Sequence, residues 1–386
     1  MVALGDISEL VGGGTPSRGV PAYFGGSIPW ITPTDVTKLE GRYLTSGKES
    51  ITELGLSKSS AKLLPVNSVL LTSRATIGFA AINRVPVCTN QGFANIICGP
   101  RVVPEFLAYV LEWMRDHLMS LASGATFKEI SKSTLKRVEI PLPTVEEQRR
   151  IVSLLDGVTE IRRRAETARE KAHAIIPALF VYMFGDPLTN PKGWGEVELG
   201  QAITSIEGGK NIQAGDDNNQ LRILKVSAVT SGTLKPEESK PAPNGYRPPP
   251  SHMVRQGDFL FSRANTAYLI GATTIVERDV KNLVLPDKIW RISWHQQLVR
   301  PAFMLAYMQS KHFRGLMTSI ASGTSDSMKN VSQAKLRKLR VMIPPIEHQL
   351  EFERLFASAR TLTRSLDDGT KISLKTQQAL FAEVFA

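Results

Sequence analysis

Cysteine is scarce in this chain: only Cys88 and Cys98 occur among 386 residues. Two thiols in alternating apolar contexts exclude a disulfide framework and a zinc ribbon. The six histidines, His117, His173, His252, His295, His312 and His348, have no ligand spacing and read as surface or hydrogen-bonded side chains. No stretch approaches roughly 18 uninterrupted apolar residues, and the opening MVALGDISELVGGG has no basic segment before an apolar core. The expectation is a soluble, cytoplasmic protein with no membrane partner. The most apolar segment, 175–184, is short and carries Pro177 and Tyr182, which suits a buried helix end. Acidic residues are the minority charge, 36 against 47 Lys and Arg, for a net charge of +11. That balance favours a polyanionic partner such as nucleic acid, although a basic surface without that task has the same arithmetic.

Catalytic motifs are missing as well. Methylation of an exocyclic amine calls for an Asn- or Asp-Pro-Pro-aromatic loop beside a glycine-rich cofactor turn, but Asn190-Pro191 runs into Lys192. Gly209-Lys210 lacks the remaining glycine and hydroxyl of a phosphate-binding loop, and Gly47-Lys48 is followed by Glu49. Pro286-Asp287-Lys288 lacks the second acidic-x-Lys element of a nuclease. No nucleophile, base and orienting acid can be assembled from spacing, so the chain is expected to be non-catalytic and to hold neither metal nor cofactor.

What the chain does have is an internal repeat. Leu135, Val138, Ile140, Pro143, Val145, Glu146 and Gln148 match Leu336, Leu339, Val341, Pro344, Ile346, Glu347 and Gln349, each 201 residues later (336 − 135 = 201). Upstream the offset drifts, to 199 for Ser123-Gly124 with Ser322-Gly323 and 189 for Ser73-Arg74-Ala75 with Ser262-Arg263-Ala264. An indel in a packed helix rotates every later side chain by about 100°, whereas a surface loop absorbs one at little cost. The order is therefore globular region, helix, globular region, helix. The boundaries fall at 1–143, 144–186, 187–344 and 345–386.

The spacing predicts a helix from about Thr144 to Phe184 with Ile151, Leu154, Val158, Ile161, Ala165 and Ala168 as a coiled-coil seam. Phe352, Leu355, Ala359, Leu362 and Leu366 repeat the stripe, with an interruption at Asp367-Asp368-Gly369. Antiparallel pairing within the chain and pairing between two chains both satisfy this pattern. The globular halves read as mixed α and β: short strands near 67–73, 79–82, 85–88 and 93–98, then 221–229, 258–262, 272–277 and 289–294, and helices over 104–121 and 300–320. The fold class is α+β, two mixed heads each followed by a long helix, with the antiparallel helix pair giving an internal pseudo-two-fold.

Polar side chains in the expected loops have the donors and acceptors that read base edges and phosphates. In the first half these are Arg18, Arg74, Thr76, Asn90, Gln91, Lys128 and Lys132. In the second they are Lys210, Asn211, Arg263, Asn265, Lys288, Lys329 and Asn330. Singly, each also suits a turn or a surface charge; as a set repeated in both halves they point to DNA. The competing reading is a scaffold whose heads bind protein and never touch DNA.

The chain resembles the specificity subunits of type I restriction-modification systems along essentially its whole length. The residues that carry the resemblance are Gly13-Gly14-Thr15-Pro16-Ser17-Arg18, Ile28-Pro29-Trp30-Ile31-Thr32, Thr72-Ser73-Arg74-Ala75-Thr76-Ile77-Gly78 and Asn90-Gln91-Gly92-Phe93. Ser123-Gly124, Ile140-Pro141-Leu142-Pro143 and Glu147-Gln148 follow. Gly208-Gly209-Lys210-Asn211 and Leu285-Pro286-Asp287-Lys288 stand where the second half departs from the first, which suggests different half-sites. The resemblance implies two target recognition domains reading a bipartite, asymmetric double-stranded DNA site, with the helices as a ruler between them. It also implies two modification subunits docked on the helices, using S-adenosylmethionine to methylate adenine N6. Restriction subunits using ATP and Mg would complete the complex in a bacterial or archaeal cytoplasm.

Overall fold

A computed structural model describes residues 1–124, 128–215, 220–323 and 328–385. The chain divides into two compact units, residues 1–165 with 370–386, and residues 166–369.

In the first unit, the apolar run Val69–Thr72 is buried throughout, as a strand covered on both faces must be. It sits at the centre of a five-stranded sheet in the order Ser8–Gly12, Phe93–Cys98, Val69–Thr72, Ala80–Asn83 and Tyr43–Leu44. A three-stranded sheet has Phe24–Ile31 between Glu49–Ile51, antiparallel, and Cys88–Thr89, parallel. The second unit repeats this plan. Its four-stranded sheet runs Ile203–Gly208, Ile289–Trp294, Phe259–Ser262 and Thr273–Ile275. Its three-stranded sheet places Arg222–Leu224 between Ser239–Pro241, antiparallel, and Leu283–Val284, parallel. Pairing order and strand direction thus repeat where the sequences have drifted apart.

Several expected elements are shorter than the sequence suggests. The strand expected over 221–229 stops at Leu224 and becomes a 3-10 turn, Val226–Val229. The helix expected over 104–121 is two helices, Pro104–Trp113 and Arg115–Ser120. The one expected over 300–320 is Pro301–Gln309 and Lys311–Ile320. There Ser310 turns extended and its hydroxyl accepts from the Phe313 N–H, capping a new helix.

Two continuous helices of 40 residues, Val145–Phe184 and Ile346–Phe385, begin at equivalent positions of the sequence repeat. Each unit holds part of both, paired antiparallel. In the first unit, Phe385 packs against Phe106 and Trp113 and Phe381 against Tyr109, while the Arg162 guanidinium donates to Gln377 at 2.7 Å. In the second, Phe352 packs edge-on against Phe180 and Phe184 at 5.8 and 5.3 Å, and Arg169 donates to Asp367 at 2.6 Å.

The seam differs from the expected one. Ile151, Phe352 and Ala359 are buried and Val158, Ala165, Ala168 and Leu366 half-buried, but Leu154, Ile161, Leu355 and Leu362 are 44%, 61%, 45% and 47% exposed. The inward positions belong to Leu155, Arg162, Phe356 and Thr363. Contact with the heads decides this: Ile151 and Leu155 complete the core of the first unit, and Phe352 and Phe356 that of the second. The helix also runs unbroken through Asp367-Asp368-Gly369, because Asp367 faces Arg169 and His173.

Each head is tied to its helix by charge, with reversed polarity. In the first unit the Arg42 guanidinium lies 3.8 Å from the Tyr109 ring centroid and 3.1 Å from Asp156 on the helix. Burial pushes the Tyr109 phenol up to about 12, so it stays protonated and donates to Asp156 at 2.8 Å. In the second unit the acid is in the head, Glu277, and Arg360 and Arg364 of the helix close on it. No helix among the described residues is long and apolar enough to cross a membrane.

Candidate nucleic-acid interface

Four segments interlock at one end of the first unit's large sheet. Gly13 passes so close to the Thr89–Gly92 segment that a Cβ would lie 1.8 Å from the Asn90 carbonyl oxygen. Only glycine permits that crossing. The Gly14 N–H donates to the Thr89 carbonyl at 2.9 Å, and the buried Trp30 indole donates to the Gly14 carbonyl at 2.9 Å. Beyond it the Thr15 hydroxyl donates to the Gln91 side chain, and the Gly92 N–H donates to Asn90 Oδ1 at 2.9 Å. The Ser73 N–H donates to the Gly92 carbonyl at 2.8 Å, and the Ala75 N–H to the Lys128 carbonyl at 3.0 Å. Lys132 opens a short helix capped by Ser131, and its ammonium lies 3.1 Å from where a Cβ on Gly12 would be.

Arg74, Thr76, Gln91, Lys128 and Lys132 are thereby brought to one exposed rim, with Asn90 half-buried behind them. Arg74 faces Glu129 at 3.8 Å. Arg18 is exposed but already engaged. It pairs with Glu49 at 2.5 Å and stacks on Phe24 and Trp30 at 4.8 and 5.0 Å.

The second unit builds the same framework from different side chains. A Cβ on Gly209 would lie 1.7 Å from the Leu285 carbonyl oxygen, and its N–H donates to the Pro286 carbonyl at 3.1 Å. The Arg263 N–H donates to the Lys288 carbonyl at 3.0 Å, and Ala264–Asn265 pairs with Lys329–Asn330. Lys210 bridges to Pro286, and Lys329 Nζ donates to the Gly323 carbonyl at 3.0 Å. Lys210 and Asn211 are exposed, while Arg263, Asn265, Lys288, Lys329 and Asn330 are half-buried.

The backbone pairing corrects the sequence repeat at one point. Ile130 donates to the Ser73 carbonyl, and Val331, its equivalent at the offset of the long helices, donates to the Arg263 carbonyl. Arg74 bridges to Glu129, and Ala264 pairs with Asn330, which stands at that same offset from Glu129. Ser73 and Arg263 are therefore equivalent, and so are Arg74 and Ala264. The Ser-Arg-Ala match is one residue out of register. The side chains agree: Arg263 is tied down, its Nε donating to the Asp287 carbonyl at 2.7 Å and its guanidinium 5.8 Å from the Trp290 ring, whereas Arg74 lies exposed.

The framework also contains an arginine in each unit that sequence reasoning passed over. Arg115 donates to the Gly78 carbonyl at 3.3 Å, and Arg314 of the second unit donates to the Ile270 carbonyl at 3.2 Å. Each holds the far end of the rim loop that starts at Ser73 or Arg263. The two arginines keep the same offset as Ser123 and Ser322, and that shared offset was the available signal. Among the described residues, no group of three or more His, Cys, Asp and Glu is placed to hold a metal ion.

Residues 1–172 match the family model described as the type I restriction modification DNA specificity domain. The chain is 37% identical to the MjaIX specificity subunit of Methanocaldococcus jannaschii, over 59% of this chain and 57% of that protein. It therefore spans little more than half the length of that relative. It is 21% identical to the EcoKI specificity subunit of Escherichia coli, over 95% of this chain and 85% of that one. Among solved structures, the type I S subunit of M. genitalium has the same fold, with a TM-score of 0.61 at 12% identity, covering 100% of this chain and 95% of that one. The duplicated heads and the paired helices agree with these matches, and the chain is similar to the specificity subunits of type I restriction-modification systems.

Proposed function

We propose that this chain is the non-catalytic, sequence-reading subunit of a type I restriction-modification complex, each unit reading one half of a bipartite, asymmetric DNA site. The observation that carries the proposal is one framework built twice with different side chains on its rim. In the first unit the rim offers Arg74, Gln91, Lys128 and Lys132; in the second, Lys210, Asn265, Lys288 and Lys329. A shared backbone orients both readers alike, and unlike side chains read unlike half-sites.

Between the half-sites, the two long helices set the number of unread base pairs, because half-site spacing follows the distance between reading elements. The recognition domains are 1–143 and 187–344, and the spacers 144–186 and 345–386. The helices also dock the modification subunits. Support comes from leucine and isoleucine left in solvent at matching repeat positions, Leu154 with Leu355 and Ile161 with Leu362. Two equal apolar faces suit two copies of one partner. S-adenosylmethionine, and ATP with Mg, are used by the modification and restriction subunits in the cytoplasm, where the chromosome lies.

The test is a strand-resolved map of N6-methyladenine in cells with and without this gene, its modification subunit present in both. A split motif that disappears on deletion is the expected result. An unchanged map, with a partner retained at high salt, would favour a protein scaffold instead.

A further inference from the structure

The rim loop is longer in the second unit, and the extra length carries a solvent-facing tyrosine. Its ends are fixed by equivalent hydrogen bonds, Thr72 N–H to the Phe79 carbonyl and Ser262 N–H to the Ala272 carbonyl. The first loop spans seven steps (79 − 72 = 7) and the second ten (272 − 262 = 10), three residues more. Tyr268 lies in this longer loop and is 91% exposed, with Leu269 beside it 37% exposed. No aromatic side chain among the described residues is more exposed.

The loop has an internal frame that holds this projection. The Leu269 and Ile270 N–H groups both donate to the Thr266 carbonyl at 3.0 Å. The Thr266 N–H donates to Asn265 Oδ1 at 2.9 Å, and the Gly271 N–H to the Ser262 carbonyl at 2.9 Å. Arg314 holds the Ile270 carbonyl from the neighbouring helix. A turn fixed at its base thus presents an aromatic ring and an isobutyl group to water, three residues after Asn265, whose strand pairs with Lys329–Asn330. In the first unit the shorter loop buries its apolar residue, Ile77, and presents Arg74 and Thr76 instead.

We propose that Tyr268, with Leu269 alongside, enters a groove of the half-site read by the second unit and packs its ring against bases there. Exposed apolar side chains on a rigid turn beside cationic and amide groups are the equipment of proteins that wedge into a base step or cover a thymine methyl. The tyrosine is then a specificity determinant of one half-site, with no counterpart in the other. This inference rests on the DNA-reading proposal above.

The test uses the full chain with its modification subunit, as wild type, Y268A and Y268F. Methylation is mapped genome-wide, and the mapped motif is then used as a duplex for binding. The expected Y268A result is degeneracy at one or two adjacent positions in one half-site, the other half unchanged, and about tenfold weaker binding. Y268F should behave as wild type, since the ring makes the contact, and both variants should unfold at the wild-type temperature. An unchanged motif and affinity in Y268A would overturn the inference and leave the DNA-reading proposal standing. Y268F behaving like Y268A would overturn it by moving the contact to the hydroxyl. An intact motif with lost co-purification of the modification subunit would overturn it in favour of a protein contact. A wild-type map with no split motif would sink the DNA-reading proposal itself.

Discussion

Gln148 and Gln349, equivalent positions of the repeat, make the same three hydrogen bonds in the two units. Each Oε1 accepts from the residue before a proline that opens a short helix, Val103 at 2.8 Å and Arg300 at 2.9 Å. Each Nε2 donates to two carbonyls, Arg101 and Pro143 for Gln148, Leu298 and Pro344 for Gln349. Both side chains are fully buried. One amide therefore ties the start of a long helix to the head before it, and fixes the angle between the two.

Replacing either glutamine with leucine keeps the volume but leaves a buried N–H and two carbonyls without that partner. The expected loss is roughly 2 to 4 kcal/mol, at about 1 to 3 for each unmade buried bond and some relaxation. Urea unfolding of Q148L and Q349L checks this. A midpoint equal to wild type would mean that the glutamine only fills space.

Arg74 and Arg263 should respond differently to alanine, because the backbone register makes them non-equivalent. R74A should keep wild-type stability but bind cognate DNA more weakly, with a salt slope lower by about one. R263A should lose stability instead, because its guanidinium holds the Asp287 carbonyl across the rim. Salt-dependent binding beside thermal unfolding separates the two. Equal behaviour in both assays would contradict the register.

The long helices, the duplication and most strands of the large sheets were legible because hydrophobic periodicity and a constant offset survive in packed elements. The seam was legible only in outline. Leu154 and Leu155 both fit a heptad, and the choice between them is made by the head that Leu155 helps to cover. Arg162, Thr363 and Gln377 face inward because they bond across the helix pair, a pattern that apolar spacing does not reveal. At the rim, Ser-Arg-Ala aligned by identity rather than by pairing. Backbone hydrogen bonds had to supply the register, and Tyr268 in the longer loop had no partner in the repeat to draw notice.

Acid should loosen the helix pair of the second unit through Asp367. Burial alone would raise its pKa, but hydrogen bonds from His173 and Arg169 outweigh that and hold it below the ordinary 3.8. A lowered folded-state pKa contributes stability that is fully present above the unfolded value and disappears as pH falls through the folded one. Wild type should therefore exceed D367N in unfolding temperature at neutral pH, with the gap closing below pH 3.8 as the carboxylate protonates. A gap that persisted in acid would place the effect elsewhere.

The spacer proposal makes a geometric prediction. Seven residues inserted into each long helix, after Ala165 and after Gly369, leave the pairing within each unit intact, since those positions divide the two units. Each insertion adds about 10 Å of helix and keeps the apolar stripe on its face. At about 3.4 Å per base pair, the unread gap in the methylated motif should lengthen by about three base pairs. An insertion in the first helix alone should instead destabilise the protein, because its pairing then slips. A functional double insertion with an unchanged gap would end the ruler idea.

The exposed apolar pairs on the helices allow docking to be tested one face at a time. Leu154 and Ile161 lie on the first long helix within the first unit, and Leu355 and Leu362 on the second long helix within the second. Because all four side chains are substantially exposed, aspartate at these positions should leave folding intact. An aspartate in an apolar interface must be desolvated without a partner, which costs several kcal/mol and should abolish binding. L154D with I161D, or L355D with L362D, should each leave one modification subunit bound where two are expected on the wild type, as read by native mass measurement of the purified complex. All four together should leave none. Two subunits retained by the fourfold variant would move the docking surface off these faces, while loss of both from either double variant would mean that the partners bind only as a pair.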